Sequence, residues 1–264
     1  MSDNQNPLAA PAPESSPAQE LAARAKEETL KNRVFDLVLV VDMSGSMAPC
    51  INNLHGNLNA LISALQKYQG GGAGSTAVDL RVGIVGHRSK SHDGKIDIVL
   101  LDLMPAAEES RLTSALKEVV QQPSGSEATL HAMDWAMDNI TWTHFGGDAM
   151  YQRKMLAVFT DEPVEGGDLT GMNETSLELF QKKLLAFNVF LVAPLQDAGR
   201  PIGYSMLLAH EFIKGQFDVP DENAWASIDF KTLLEKIGKT QTKSAADLGV
   251  QKNVFGASFV VTNL

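Results

Sequence analysis

Phe35-Asp36-Leu37-Val38-Leu39-Val40-Val41-Asp42-Met43-Ser44-Gly45-Ser46-Met47 decides how the rest of the chain is read. Leu37 to Val41 is an unbroken apolar run, rich in Val and Leu. A run of this length predicts a strand buried on both faces, the usual state of a parallel sheet covered by helices. It stops at Asp42, and Ser44 and Ser46 follow at alternate positions with Gly45 between them. In an open α/β sheet, ligands bind beyond the carboxyl ends of the strands. Asp42, Ser44 and Ser46 therefore stand where a site belongs, and all three offer oxygen. Oxygen-only donors suit a hard cation, Mg2+ or alternatively Mn2+ or Ca2+. Helix capping alone needs one such side chain, not three in alternation.

Downstream, apolar residues recur at helical spacing at Ile51, Leu54, Leu58, Leu61, Ile62 and Leu65, which predicts an amphipathic helix on the sheet. The glycine run Gly70-Gly71-Gly72-Ala73-Gly74 precedes a strand and has no following Lys-Ser/Thr, so it reads as a connection rather than a phosphate loop. Val78 to Val85 and Ile96 to Leu103 read as two strands. The short link between them implies a hairpin, and so one antiparallel edge strand. Helices are predicted around Leu112–Val120 and Leu130–Ile140, then a short buried strand over Met155–Phe159, a helix through Leu177–Leu184 and a strand over Phe187–Ala193. A short helix over Met206–Ile213, an edge strand over Gln216–Val219 and a last helix through Phe230–Ile237 complete the pattern. Val254 to Val261 is apolar and has no assigned place. The alternation predicts an α/β fold: a doubly wound, mostly parallel central sheet with helices on both faces and one antiparallel edge strand.

Three segments are expected. Residues 1–33 form a polar, proline-rich disordered tail and a leader helix, 34–244 the folded domain, and 245–264 a C-terminal extension that adds a strand or none.

The chain has 264 residues, a net charge of -10 and a pI near 5.0. That charge disfavours nucleic acid and acidic membrane surfaces as partners. There is no run of about eighteen apolar residues and no signal-peptide pattern at the start, so no membrane association is expected. One cysteine, Cys50, excludes an intrachain disulfide and points to a reducing, cytoplasmic setting. Cys50 itself reads as a small buried hydrophobe at a helix start. The six histidines are scattered without the spacing of a zinc site. His131 lies close to Thr129 in sequence and reads as a surface residue. Trp135 and Trp142 read as core or rim packing, with partner anchoring as the alternative.

Asp42, Ser44 and Ser46 leave a cation short of ligands, since Mg2+ takes six oxygens. Two further segments supply candidates: Thr129, at a loop-to-helix junction after Gly125, and Asp161, after the strand that ends in Phe159-Thr160. With these in place the chain resembles the von Willebrand factor A-type domains that carry a metal-ion-dependent adhesion site. The family's first motif, D-x-S-x-S after the first strand, is matched by Asp42, Ser44 and Ser46. Its threonine is matched by Thr129, and its aspartate after an apolar strand by Asp161. The resemblance covers residues 34–244 and is most specific at the first motif. The chain departs from it at Glu162-Pro163, where the family carries glycine.

The resemblance implies a metal-dependent protein–protein interaction module. In such a module Ser44, Ser46 and Thr129 bond the ion, Asp42 and Asp161 bond it directly or through water, and a partner protein's Asp or Glu carboxylate completes the shell. Cytosolic bacterial-type members of the family suggest a multiprotein assembly, with an AAA+ ATPase as a candidate partner, of the chelatase, stress or defence type.

An enzyme is the competing reading. A buried strand ending in aspartate also begins the haloacid-dehalogenase-type phosphatases, but those need a second aspartate where this chain has Ser44. No catalytic residues are predicted. A scaffold with a vestigial metal site is a third reading, against which the five matched positions argue.

Overall fold

The computed structural model describes residues 34–68, 79–90, 96–118, 128–143, 154–162, 174–194, 213–219 and 222–237. The expected leader (1–33), the glycine run, Pro163, the stretch 206–212 and the extension 245–264 lie outside them.

Six strands form one sheet: β1 (Val34–Asp42), β2 (Asp79–Lys90), β3 (Ile96–Pro105), β4 (Lys154–Phe159), β5 (Asn188–Ala193) and β6 (Ile213–Asp218). Their order is β3-β2-β1-β4-β5-β6. Every neighbouring pair is parallel except β2 and β3, which form the expected antiparallel edge. The helices are α1 (Ala48–Tyr68), α2 (Glu109–Glu118), α3 (Thr129–Asn139) and α4 (Glu174–Leu184), followed by α5 over residues 230–237. One expectation is corrected: Ile213 opens β6 rather than closing a helix. It pairs with Val189 of β5, so the backbone groups of this segment are satisfied by the sheet rather than along a helix.

The unbroken apolar run is explained by what lies on each side of it. Leu37, Leu39 and Val41 enter a core with Leu54, Leu58 and Leu61 of α1, Leu112 and Leu116 of α2, and Phe230, Leu233 and Leu234 of α5. Val38 and Val40 enter the opposite core with Leu130, Met133 and Met137 of α3 and Phe180 and Leu184 of α4. β4 and β5 alternate in the same way. Each fully buried aliphatic side chain contributes roughly 1.5–3 kcal/mol, so both faces of the central strands hold the three layers together. Cys50 is fully buried in the first turn of α1, as expected.

Two glycines record close approaches in the sheet. A Cβ on Gly83 of β2 would lie 3.0 Å from the Leu101 carbonyl oxygen, at a register shift against β3. A Cβ on Gly215 of β6 would lie 2.3 Å from the ring of Phe190, its register partner on β5.

The order of the strands places the site. From β1 the chain winds outward through β2 to β3, then returns to the other side of β1 to lay down β4. The carboxyl ends of β1 and β4 therefore flank the point where the winding reverses, the crevice in which doubly wound sheets bind ligands.

Candidate metal centre

Asp42 closes β1 beside Phe159, which closes β4; the last paired residues of the two strands are Val41 and Phe159. Beyond them the chains turn away, and the polar side chains meet. Asp42 is fully buried. Its Oδ1 accepts the backbone N–H of Ser44 at 2.7 Å, and its Oδ2 accepts the Thr160 hydroxyl at 2.9 Å. The Thr160 hydroxyl in turn accepts the backbone N–H of Glu162 at 3.2 Å. One carboxylate thus pins both loops.

Ser44 precedes a single 3-10 turn, Gly45–Met47, and its side chain makes no capping hydrogen bond. Its hydroxyl lies 2.9 Å from that of Ser46. The Ser46 hydroxyl donates to Asp161 Oδ1 at 3.2 Å. Asp42, Ser44, Ser46 and Asp161 are therefore joined in one hydrogen-bonded chain across the mouth of the crevice. Capping does not account for Ser44, and the other hydroxyl is turned onto a second strand end.

Thr129 stands outside this chain of bonds. It is the first residue of α3, on the helix that packs over β1 and β2. Its hydroxyl is buried and has no hydrogen-bond partner. Asp161 Oδ2 is in the same condition. Buried polar atoms without partners are rare, and each calls for an explanation.

The electrostatics agree with that imbalance. Burial pushes the Asp42 carboxyl up to about 6, against the opposing hydrogen bonds from Ser44 and Thr160. Burial and then the nearby Asp42 charge raise the Asp161 carboxyl, while the Ser46 hydroxyl and the Trp225 indole favour its charged form. Burial raises the Cys50 thiol well above its ordinary range, with the charges of Asp161 and Asp42 adding to it. The Asp42 charge thus adds to the cost of ionising Asp161, and of the four carboxylate oxygens only Asp161 Oδ2 is buried without a hydrogen bond.

The residues fit a hard divalent cation. The set is two carboxylates and three hydroxyls, all oxygen, and two of those oxygens are buried with nothing to bond. Among the described residues no three His, Cys, Asp and Glu side chains gather into a metal cluster of their own.

Three further residues near the site or the motifs escaped the reading of the sequence. Thr160 was visible only as the residue before Asp161, and its role follows from the pairing of β1 with β4. His87 of β2 is fully buried opposite Asp42 in register. Trp225, in a 3-10 turn at Glu222–Ala226, is fully buried with its indole nitrogen unbonded. Trp142 proves to be core: its ring meets Phe187 edge to face at 4.9 Å, and its indole donates to the Ala136 carbonyl. Trp135 packs, partly buried, against the same core, and His131 is half-buried.

No family model matches the chain, and no curated protein does. Among solved structures, von Willebrand factor A domains are similar to it at low identity. The von Willebrand factor type A protein from Catenulispora acidiphila is 14% identical over 78% of this chain and 42% of its own, with a TM-score of 0.46. Proximal thread matrix protein 1 from the mussel byssus, with a zinc-occupied MIDAS motif, is 11% identical over 78% of this chain and 48% of its own, at 0.47. The pilus adhesin SpaC from Lactobacillus rhamnosus GG, in its open conformation, is 15% identical over 80% of this chain and 30% of its own, at 0.46. The chain thus spans less than half the length of each of these structures. No described helix is long and apolar enough to cross a membrane.

Proposed function

We propose that this chain is a protein-interaction module of the von Willebrand factor A type. In this reading Asp42, Ser44, Ser46, Thr129 and Asp161 hold a divalent cation, Mg2+ or a similar hard ion. A partner protein's aspartate or glutamate carboxylate is the outer ligand.

The observation that carries this reading is Asp161 Oδ2, buried without a partner in the hydrogen-bonded group of Asp42, Ser44 and Ser46 at the reversal point of the sheet, and Thr129 Oγ1 is a second buried oxygen without one. Bound there, the ion would supply a positive charge that three neutral hydroxyls leave largely uncompensated, and an open position for an oxygen from outside. The chain's own part is to hold the donors. Asp42 is fixed at both oxygens by Ser44 and Thr160, and Ser46 ties its loop to Asp161. A phosphatase reading has no general acid to use, because Ser44 occupies the position two residues after Asp42. The setting we assign is cytoplasmic, within a multiprotein assembly in which an AAA+ ATPase is the candidate partner.

The test is calorimetric titration of the full chain with Mg2+ and Mn2+, alone and with acetate as a stand-in carboxylate. Uptake by the wild-type chain that disappears in the Ser44→Ala/Ser46→Ala double variant is the expected result. No uptake with or without acetate, in a chain that is folded, overturns the metal-dependent reading and leaves a metal-free scaffold.

A further inference from the structure

We propose that Lys154 is a modification site: a nucleophilic amine at the amino end of the sheet, acylated by activated acyl donors of the acyl phosphate class. It lies at the opposite end of the strands from Asp42, and the inference does not depend on the metal reading.

The register of three strands makes the site. Asp36 of β1 is paired with Arg81 of β2 on one side and with Lys154, the first residue of β4, on the other. Side chains alternate between the faces of a strand, and neighbouring strands lie about 4.8 Å apart. Val38 and Val40 of β1, and Leu156 and Val158 of β4, enter the core under α3 and α4. Asp36 and Lys154 therefore belong to that same face, and Arg81 reaches Asp36 on it. The result is a row of cation, carboxylate and cation across three adjacent strands.

The carboxylate in the middle is fully engaged. An ionised carboxylate offers about four acceptor positions. Arg81 takes two, through Nε at 2.8 Å and Nη2 at 2.9 Å. Thr143 takes two more, through its backbone N–H at 2.6 Å and its hydroxyl at 3.2 Å. Lys154 is left beside a negative charge that has no position free to bond it. Among the described residues its ammonium has neither a hydrogen bond nor an ion pair. What it has is a ring: Nζ lies 5.6 Å from the centroid of Phe187, which Trp142 backs edge to face. Lys154 is nevertheless partly exposed, which leaves the amine open to a small reagent.

A lysine becomes nucleophilic when it is desolvated or set beside another cation, because either disfavours the ammonium form. Lys154 meets both conditions. Burial lowers its amine from the ordinary value of 10.5, and the Asp36 charge opposes this without cancelling it. Lys183 is the contrast within the same chain. Its ammonium bonds Asp134 at 2.8 Å and Asp138 at 2.6 Å. Burial, which would lower it, is outweighed by those bonds, so its shift is upward.

The step needs no co-reactant. The neutral Nζ attacks the acyl carbon and an N–C bond forms. The C–O bond to phosphate breaks, phosphate leaves with the electron pair, and the amine proton passes to water. The product is an uncharged amide, which removes one of the two cations beside Asp36.

The experiment treats the full, folded chain with acetyl phosphate at neutral pH to low conversion and follows each lysine by peptide mass spectrometry. Lys154 is expected to be acetylated several-fold faster than the exposed Lys182 and Lys231, with Lys183 the slowest of the four. In urea the four rates are expected to converge. Arg81→Gln frees acceptor positions on Asp36 for Lys154, whose rate should then fall to that of Lys182. Acetylation of Lys154 no faster than that of Lys182 and Lys231 in the folded wild type overturns the proposal. So does a lead that persists in urea, or one unchanged in folded Arg81→Gln. If that variant does not fold, the two wild-type comparisons decide, since neither alters the site.

Discussion

The Thr160 hydroxyl donates to Asp42 Oδ2 at 2.9 Å, joining the carboxyl ends of two strands that lie 118 residues apart in the chain. Both residues are fully buried. The bond supports the charged form of Asp42 against its desolvation. Thr160→Val keeps the shape and removes the donor. It is expected to cost about 1–3 kcal/mol of stability, the range for leaving a buried polar group unpaired, and to weaken Mg2+ binding about 10–100-fold. Thr160→Ser, which keeps the hydroxyl, should restore most of both. Calorimetry and urea unfolding measure the two effects, and equal behaviour of Val and Ser would show that the hydroxyl is not the active group.

Thr129 offers a sharper contrast, because its hydroxyl has no partner. Replacing an unsatisfied buried polar group by an apolar one of the same shape is neutral or stabilising. Thr129→Val should therefore unfold at the same or a higher urea concentration than wild type in the absence of metal, while binding Mg2+ at least about tenfold more weakly. A variant that loses stability but binds normally would mean that the hydroxyl serves the fold and not an ion.

The fold was legible because its signals are local and strong. The apolar run at Leu37–Val41 needs cover on both sides, and the two cores supply it. That Asp42, Ser44 and Ser46 gather at the strand end was legible because three hydroxyl and carboxyl side chains in alternation exceed what a strand end or a cap requires. Asp161 could be named from the strand before it. Thr160, His87 and Trp225 were not legible, since each owes its position to a partner distant in sequence: Asp42 across the sheet, the register of β2 on β1, and the turn that follows β6. Ile213 was misread as helical because an apolar residue at a segment's edge carries no period of its own; its pairing with Val189 decides it.

Gly215 faces Phe190 so closely that any Cβ would overlap the aromatic ring, at 2.3 Å. The ring is fully buried and has little room to withdraw. Gly215→Ala is expected to cost about 1–3 kcal/mol, as overpacking does. Phe190→Leu alone also destabilises, by leaving a cavity. The double variant should be more stable than the sum of the two predicts, because the smaller residue admits the methyl group. Strict additivity in the cycle would show that the two positions do not press on each other.

Asp102 of β3 holds the chain that leaves α3. It accepts the Thr141 backbone N–H at 3.0 Å, the Thr141 hydroxyl at 2.6 Å and the Leu103 backbone N–H at 2.7 Å. Desolvation, which would raise its carboxyl, is outweighed by the bonds from Thr141 and Leu103, so the net shift is downward. A carboxyl lowered in the folded state stabilises it when ionised. That contribution is full above the unfolded value of 3.8 and is lost as the pH falls through the lower folded value. Asp102→Asn should accordingly be less stable than wild type near neutral pH, with the gap closing in strong acid. Urea midpoints between about pH 6 and about pH 2 test this, and a gap that does not change with pH would assign it to geometry rather than charge.

Asp36 lies at the amino end of β1, away from the centre at Asp42, and is the other fully buried acid of that strand. It is met by an opposite charge, where Asp42 is met by neutral donors alone. Arg81 meets it with two bonds, at 2.8 and 2.9 Å, and Thr143 adds its backbone N–H at 2.6 Å and its hydroxyl at 3.2 Å. Arg81 also reaches the Thr141 carbonyl at 3.1 Å, so the clamp ties the exit of α3 to the foot of the sheet. Asp36→Asn would leave Arg81 without its counter-charge. Because the Arg81 side chain keeps 24% of its exposure, water recovers part of that loss, and the expected cost is about 1.5–3 kcal/mol. The clamp and the candidate centre occupy opposite ends of one strand and share no hydrogen bond. Asp36→Asn should therefore lower the urea midpoint and leave Mg2+ affinity unchanged, the reverse of what Thr129→Val does. Weakened metal uptake in folded Asp36→Asn would mean that β1 transmits strain along its length.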